Sequence, residues 1–373
     1  MSERRVSERE GPKRKRRFGV IGALVGVAAA AGIAAGVATE RYLVRRSKRG
    51  DDVYADEPFG ELPFTSQLRV LGDDGVELHV EVIDGPGSAA GDSAVGDSAV
   101  GDVTLIFVHG FCLDMGTFHF QRQALQGRYR MVLYDQPGHG RSGRLEKGDY
   151  TLEALGGALA AVVDACAPTG RIVLFGHSMG GMSIMSLAEQ APELFEERVA
   201  GVVLISTSAG KLDEVNFGLP EVVARFRRPL MPIIGSAGPI TAAVVDRARR
   251  ATTDLAWLVT RRYGFGTERP SPALVSYVER MNSMTSTEVI ARYLRTLFSH
   301  SRLLVLGPLR DVPVLMICGD SDVLTPLDHT YEIAAVLPEA EVVVVAEGGH
   351  VVLLEHADVV NDAIDRFLRK VLD

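Results

Sequence analysis

RIVLFGHSMGG, residues 171–181, is the stretch whose reading decides the fold of this chain. Its first five residues, mostly apolar, have the form of a strand buried on both faces. Gly176-His177-Ser178-Met179-Gly180 follows at once, and then the helix-like MSIMSLAEQAPELF, 182–195. A strand that turns sharply into a helix lifts the central serine hydroxyl out of the sheet, and the two glycines leave the room that side chains would fill. The helix amino end adds a dipole that favours a developing anion. Ser178 is therefore the candidate nucleophile, with an ordinary glycine-rich turn as the plain alternative.

Working outward, TLIFVHG (104–110), MVLYD (131–135), VAGVVLIS (199–206), VPVLMICGD (312–320) and EVVVVAEGGH (341–350) are short continuous apolar runs of the same kind. Helical stretches at 151–166, 329–337 and 357–372 alternate with them. Strands alternating with helices predict an α/β fold, with a mostly parallel central sheet and helices on both faces. LRVLGDDGVELHVEVIDG, 68–85, reads as two strands around an Asp-Asp-Gly turn. PGSAAGDSAVGDSAVGD, 86–102, carries GDSAV twice in tandem and reads as a flexible surface loop without chemistry. Residues 208–308 contain helical segments and no run of the main strand type, which predicts an inserted helical cap. The core then falls into 65–207 and 309–373, preceded by a charged linker at 40–64. The insert brings Phe217, Phe226, Trp257, Met281, Met284 and Phe298, most of which pack the cap itself.

A serine hydroxyl needs a base. Of nine histidines, His350 ends the last strand, where the carboxyl ends of parallel strands converge on one edge of the sheet. His177 packs under the turn at Ser178, His139 lies in the turn PGHG, and His356 opens the last helix. An acid must orient the base. Asp320 and Asp322 both follow VPVLMIC, and position alone does not choose between them; Asp135 after MVLY is a third candidate, disfavoured by the order serine, acid, histidine. Thr325, Pro326 and Asp328 resemble a helix start, with Thr325 as the cap. The backbone N–H groups of Met179 and Phe111 are the candidate oxyanion donors, each worth about 3 kcal/mol in the transition state. The scheme calls for no cofactor, and no metal-ligand spacing is present.

Charge is uneven. Residues 1–50 hold 13 Lys or Arg against 4 Glu, so the remaining 323 residues carry a net charge of -17 and no basic patch for nucleic acid. The basic tail 1–17 precedes FGVIGALVGVAAAAGIAAGVAT, 18–39, which is 22 residues without a charge. As a helix it would be about 33 Å long, enough to cross a bilayer core. The expectation is a single-pass membrane protein anchored in the lipid bilayer through 18–39, with the enzyme domain outside the cytoplasm. Secretion after signal cleavage is the alternative. The three cysteines, Cys112, Cys166 and Cys318, match no zinc or redox pattern and read as buried free thiols.

Five motifs in order carry a family resemblance: HGF at 109–111, DQPGHGRS at 135–142, GHSMGG at 176–181, GDSDVLTP at 319–326 and GGH at 348–350. From about residue 65 to 373 the chain resembles an α/β-hydrolase with a helical cap, of the serine esterase and lipase kind. The resemblance implies a triad of Ser178, Asp322 and His350, because the family pattern Gly-x-x-Asp-x-x-x-Pro maps onto Gly319, Asp322 and Pro326. Relatives with aspartate as nucleophile, the epoxide and haloalkane hydrolases, are disfavoured by Ser178. The expected reaction is hydrolysis of a small-molecule carboxylic ester with an apolar group, through an acyl-enzyme. The family also holds amidases, thioesterases, carbon–carbon bond hydrolases and perhydrolases, and the fold also serves as a ligand-binding receptor or inactive scaffold.

Overall fold

The computed structural model describes residues 52–72, 74–86, 103–146, 150–216 and 253–372. Eight strands form one sheet: β1 Ser66–Leu71, β2 Glu77–Ile83, β3 Val103–Val108, β4 Arg130–Tyr134, β5 Arg171–His177, β6 Val199–Ile205, β7 Val314–Gly319 and β8 Glu341–Val345. Their order across the sheet is β1-β2-β4-β3-β5-β6-β7-β8. The β1–β2 and β2–β4 pairs are antiparallel, and every other pair is parallel. The helices in order are α1 His119–Leu125, α2 Leu152–Cys166, α3 Met179–Gln190, α4 Pro192–Glu197, α5 Thr253–Gly264, α6 Pro272–Met284, α7 Thr287–Ser299, α8 Leu327–Val336, α9 Val352–Glu355 and α10 Ala357–Leu372. This is the mostly parallel α/β sheet read from the apolar runs, in the α/β-hydrolase arrangement that the motif resemblance implied.

The central strands are apolar throughout because both of their faces are covered. All six residues of β3 and all seven of β6 are buried. Each fully buried Val, Leu or Ile contributes roughly 1.5–3 kcal/mol. Phe107 and Phe175 stand in register on β3 and β5, with ring centroids 4.6 Å apart. Where one helix was expected over 182–195, two are present: Pro192 lacks the N–H that a continuous helix would need, so the chain restarts there as α4.

Between β6 and β7, α5, α6 and α7 form the described part of the insert. Ser271 caps α6 by accepting from Leu274 N, and Pro272 occupies the first turn. Ser286 caps α7 likewise, and Val289, Tyr293 and Leu297, spaced four apart, give it one buried face. That face seats α7 on the turn after β4, where the Tyr293 hydroxyl donates to the Pro137 carbonyl at 3.0 Å. The Tyr277 hydroxyl of α6 donates to Gly116 O at 2.9 Å. Residues ahead of β1 also pack here: Phe59 stacks on Tyr277 at 4.5 Å, and Glu57 lies 2.7 Å from His119 Nε2.

The membrane expectation is corrected. Among the described residues no helix is long and apolar enough to cross a membrane. The reading of 18–39 rested on length and lack of charge, yet 13 of its 22 residues are Ala or Gly, which bring little apolar area to bury. The structure thus gives no support to a span, to the bilayer as partner or to a single-pass placement with an extracytoplasmic domain. Residues 18–39 themselves lie outside the described residues, as do the basic tail, the GDSAV repeat, and Phe217 and Phe226 of the insert.

Candidate active site

Ser178, Asp322 and His350 follow β5, β7 and β8. Parallel strands bring their carboxyl ends to one edge of the sheet, so residues 172 positions apart meet there. Ser178 sits at φ 53° and ψ -118°, a left-handed conformation that costs an L-residue roughly 1–3 kcal/mol. Its surroundings hold it there. Ser178 N donates to Ile205 O at 2.9 Å, and the Thr207 hydroxyl donates to Ser178 O at 2.6 Å. The turn also requires its glycines: a Cβ on Gly180 would stand 1.9 Å from Val108 O, and one on Gly176 would stand 2.6 Å from Gly181 N.

His350 Nε2 is 2.9 Å from Ser178 Oγ, and His350 Nδ1 is 2.9 Å from Asp322 Oδ2. Burial pushes the Asp322 carboxyl up, but the His350 imidazole beside it and hydrogen bonds from His350 and Thr325 outweigh burial and hold it below its ordinary value. An ionised carboxylate only accepts, so Nδ1 carries the proton and Nε2 is left to accept from the serine hydroxyl. The second carboxylate oxygen accepts from Leu324 N at 2.8 Å and Thr325 N at 3.0 Å. Asp320 lies elsewhere: its Oδ1 accepts from Glu347 N at 2.8 Å and ties down the loop before His350.

Met179 is the first residue of α3, so its N–H has no intrahelical partner. The loop carrying Phe111 lies against the nucleophile, since a Cβ on Gly110 would meet Ser178 Cβ at 3.1 Å. Gln136 N donates to His109 Nε2 at 2.8 Å, so the His109 proton sits on Nδ1 and is donated to Gly110 O at 2.8 Å. In a trans peptide the next N–H points opposite to that carbonyl. His109 thereby turns the Phe111 N–H away from itself. Gln136 also donates from its side-chain amide to His109 O at 2.5 Å, and the Ser183 hydroxyl of α3 donates to its Oε1 at 2.7 Å. One glutamine thus joins the loop of one oxyanion candidate to the helix of the other.

Thr207 and Ser183 carried no signal in the sequence, and Gln136 and Thr325 lie within DQPGHGRS and GDSDVLTP without the sequence showing these contacts. Thr325 was expected as a helix cap. The helix begins instead at Leu327, and the Thr325 hydroxyl lies 2.8 Å from Asp322 Oδ2 and 2.9 Å from Ser206 O. His177 is buried, and its Nε2 donates to His350 O at 2.8 Å. Asp135 accepts from Met115 N at 3.0 Å and Arg141 N at 2.8 Å and does not touch the triad. Of the insert residues, Trp257 is buried with its indole N–H on Ser276, Met281 packs near Thr117, and Met284 is exposed. A cavity of about 410 Å³ between α6 and residues 114–116 mixes Met115 and Tyr277 with Asp114, Asp135, Arg141 and Arg280; none of the triad lines it. Cys112 is half-buried, and Cys166 and Cys318 are buried. Among the described residues no His, Cys, Asp and Glu group could hold a metal.

The buried histidines set an acid limit on stability. Burial holds His177 at about 3 and His139 at about 4, and burial with His139 beside it holds His109 well below its ordinary value. Their unfolded forms bind protons that the folded forms do not. The stability they confer is therefore complete above about pH 6.5 and is lost as pH falls toward those values. Asp135 works in the opposite sense. Burial and the neighbouring Asp114 push it up to about 7, so its contribution is present in acid and lost as pH rises through that value. The neutral imidazoles outnumber Asp135, so unfolding near pH 5 takes up protons on balance. The thermal midpoint is expected to fall as pH drops from about 6.5 to 5; a flat or rising midpoint would show that these imidazoles are not held neutral.

Comparison with known proteins agrees with this architecture. The α/β-hydrolase fold family matches residues 103–357. The chain belongs to that family. It is 32% identical over 278 residues to the dihydrolipoyllysine-residue acetyltransferase component of the acetoin cleaving system of Pseudomonas putida, covering 71% of this chain and 63% of that one. The chain therefore spans less than two thirds of that relative's length. It is 27% identical over 267 residues to the pimeloyl-[acyl-carrier protein] methyl ester esterase of Xanthomonas oryzae pv. oryzae, covering 72% and 95% of the two chains. A thermophilic esterase from Thermogutta terrifontis superposes with a TM-score of 0.61 at 24% identity, covering 83% of this chain and all of that one.

Proposed function

We propose that this chain hydrolyses a small or medium carboxylic ester through an acyl-enzyme on Ser178. The observation that carries the reading is the unbroken contact line from Ser178 Oγ through His350 to Asp322, each step 2.9 Å. His350 Nε2 takes the serine proton as Oγ attacks the carbonyl carbon. The N–H groups of Phe111 and Met179 receive the oxyanion, and Asp322 stabilises the imidazolium. His350 then gives its proton to the leaving alcohol. Water enters, gives a proton to His350 and attacks the acyl carbon, and the acid leaves as His350 returns the proton to Ser178. The esterase among the relatives supports an ester over an amide. The composition of the insert, which supplies Met and aromatic residues, supports an apolar acyl or alcohol group.

A substrate panel on the full-length protein tests this reading: p-nitrophenyl esters of increasing acyl length, anilides, acyl thioesters and a vinylogous diketone. Ester turnover with an acyl adduct trapped on Ser178 is expected. Turnover of another member, dependent on Ser178 while esters stay inert, would overturn the ester and leave the serine chemistry standing.

A further inference from the structure

Glu355 closes α9, five residues after His350, and no feature of the sequence marks it. One of its oxygens, Oε2, accepts from Gly349 N at 2.7 Å. The other, Oε1, accepts from Thr267 N at 2.9 Å and from the Thr267 hydroxyl at 2.7 Å. Gly266 N is shared between them, at 3.0 and 3.1 Å. A carboxylate has about four acceptor positions, and here four donors fill them. Three belong to the segment joining α5 to α6 in the insert, and the fourth is the N–H of Gly349, the residue before His350.

The two segments touch backbone to backbone. A Cβ on Gly266 would stand 2.4 Å from Glu347 O, and one on Gly349 would stand 2.4 Å from Gly266 N. Val351 N donates across the same contact to Gly264 O at 2.9 Å. On its far side, His350 is held by His177, whose Nε2 donates to His350 O. The backbone of His350 is thus pinned from both ends, by His177 at its own carbonyl and by Glu355 through the preceding residue. With the backbone fixed, the imidazole has little freedom left beyond its two side-chain torsions, and Asp322 and Ser178 set those.

We propose that Glu355 is a positioning residue that aligns His350 through the Gly349 amide and makes that alignment depend on the seating of the insert at Gly266 and Thr267. The proposal rests on His350 being the base. Charge-assisted bonds to one carboxylate are stronger than neutral ones, so the insert segment and the base loop hold together as one unit. If the insert segment lifts, the carboxylate loses three of its four donors and becomes free to turn toward water, and the Gly349 bond loosens with it.

The test uses the full-length protein and a fluorophosphonate, from which Ser178 Oγ displaces fluoride while His350 takes the serine proton. Labelling rate, kcat and KM for p-nitrophenyl acetate, and thermal midpoint are measured. In Glu355→Gln the amide NH2 cannot accept, so one of the two donor sets is lost. Labelling rate and kcat are expected to fall about 10–100-fold, the range for a misplaced catalytic group, with KM for the small ester within about twofold. Glu355→Asp keeps the charge on a shorter arm and is expected to lie between. Thr267→Val, changed only in the insert, is expected to slow labelling even by a probe too small to need the insert. A folded Glu355→Gln protein that labels and turns over at the wild-type rate, or loses only KM, would overturn the positioning role. If Glu355→Gln does not fold, a wild-type labelling rate in Thr267→Val would overturn the coupling. Wild-type protein that does not label at all would overturn the base assignment itself, a distinct result.

Discussion

Ser178→Ala is expected to lower kcat about 10⁵–10⁶-fold on whichever substrate the panel identifies, and to abolish fluorophosphonate labelling. The loss is large because the hydroxyl is the only atom at the turn that can form the acyl bond, and its partner is already in place, with His350 Nε2 2.9 Å away. The fold should be little affected. Alanine takes the same strained backbone at φ 53° with a smaller side chain, and Ile205 and Thr207 still hold the peptide. Thermal denaturation of the variant close to wild type, together with unlabelled protein, separates loss of chemistry from loss of structure. A folded Ser178→Ala protein that keeps more than about one hundredth of wild-type turnover would place the nucleophile elsewhere.

Asp322→Asn is expected to cost about 10⁴-fold in kcat with little change in KM. The geometry says why. One carboxylate oxygen accepts two backbone amides, Leu324 N and Thr325 N, so the asparagine oxygen is drawn to that side. Its NH2 then faces His350 Nδ1 and can only donate. The imidazole responds by moving its proton to Nε2, where it can no longer accept from Ser178. Asp320→Asn provides the contrast. Asp320 is exposed and holds Glu347 N in the loop, so a change of less than about tenfold is expected. Equal losses in the two variants would reassign the acid.

The sequence was most legible where the physics is local. Buried strands show as continuous apolar runs because both faces of a parallel sheet are covered, and the sharp turn at Ser178 shows as Gly-x-Ser-x-Gly because no larger residue fits at Gly176 or Gly180. Length and lack of charge misled at 18–39, since they count residues and not the apolar area that each carries.

By itself, then, the sequence determined the alternation of buried strands with helices, the strand-to-helix turn at Ser178 and a short set of candidates for acid and base, because each is written in a short local run, while the α/β-hydrolase fold came from the resemblance of five motifs spread over 109–350. The tertiary structure decided the rest. Asp322 reaches His350 and Asp320 does not, because the loop after β7 turns one carboxylate inward and leaves the other on the surface. Thr325 serves the triad and not the helix, because β6 brings the Ser206 carbonyl beside it. Glu355 meets Gly266 and Thr267 across 88 and more positions of chain, a contact that strand order and the insert's seating create and that no local pattern encodes.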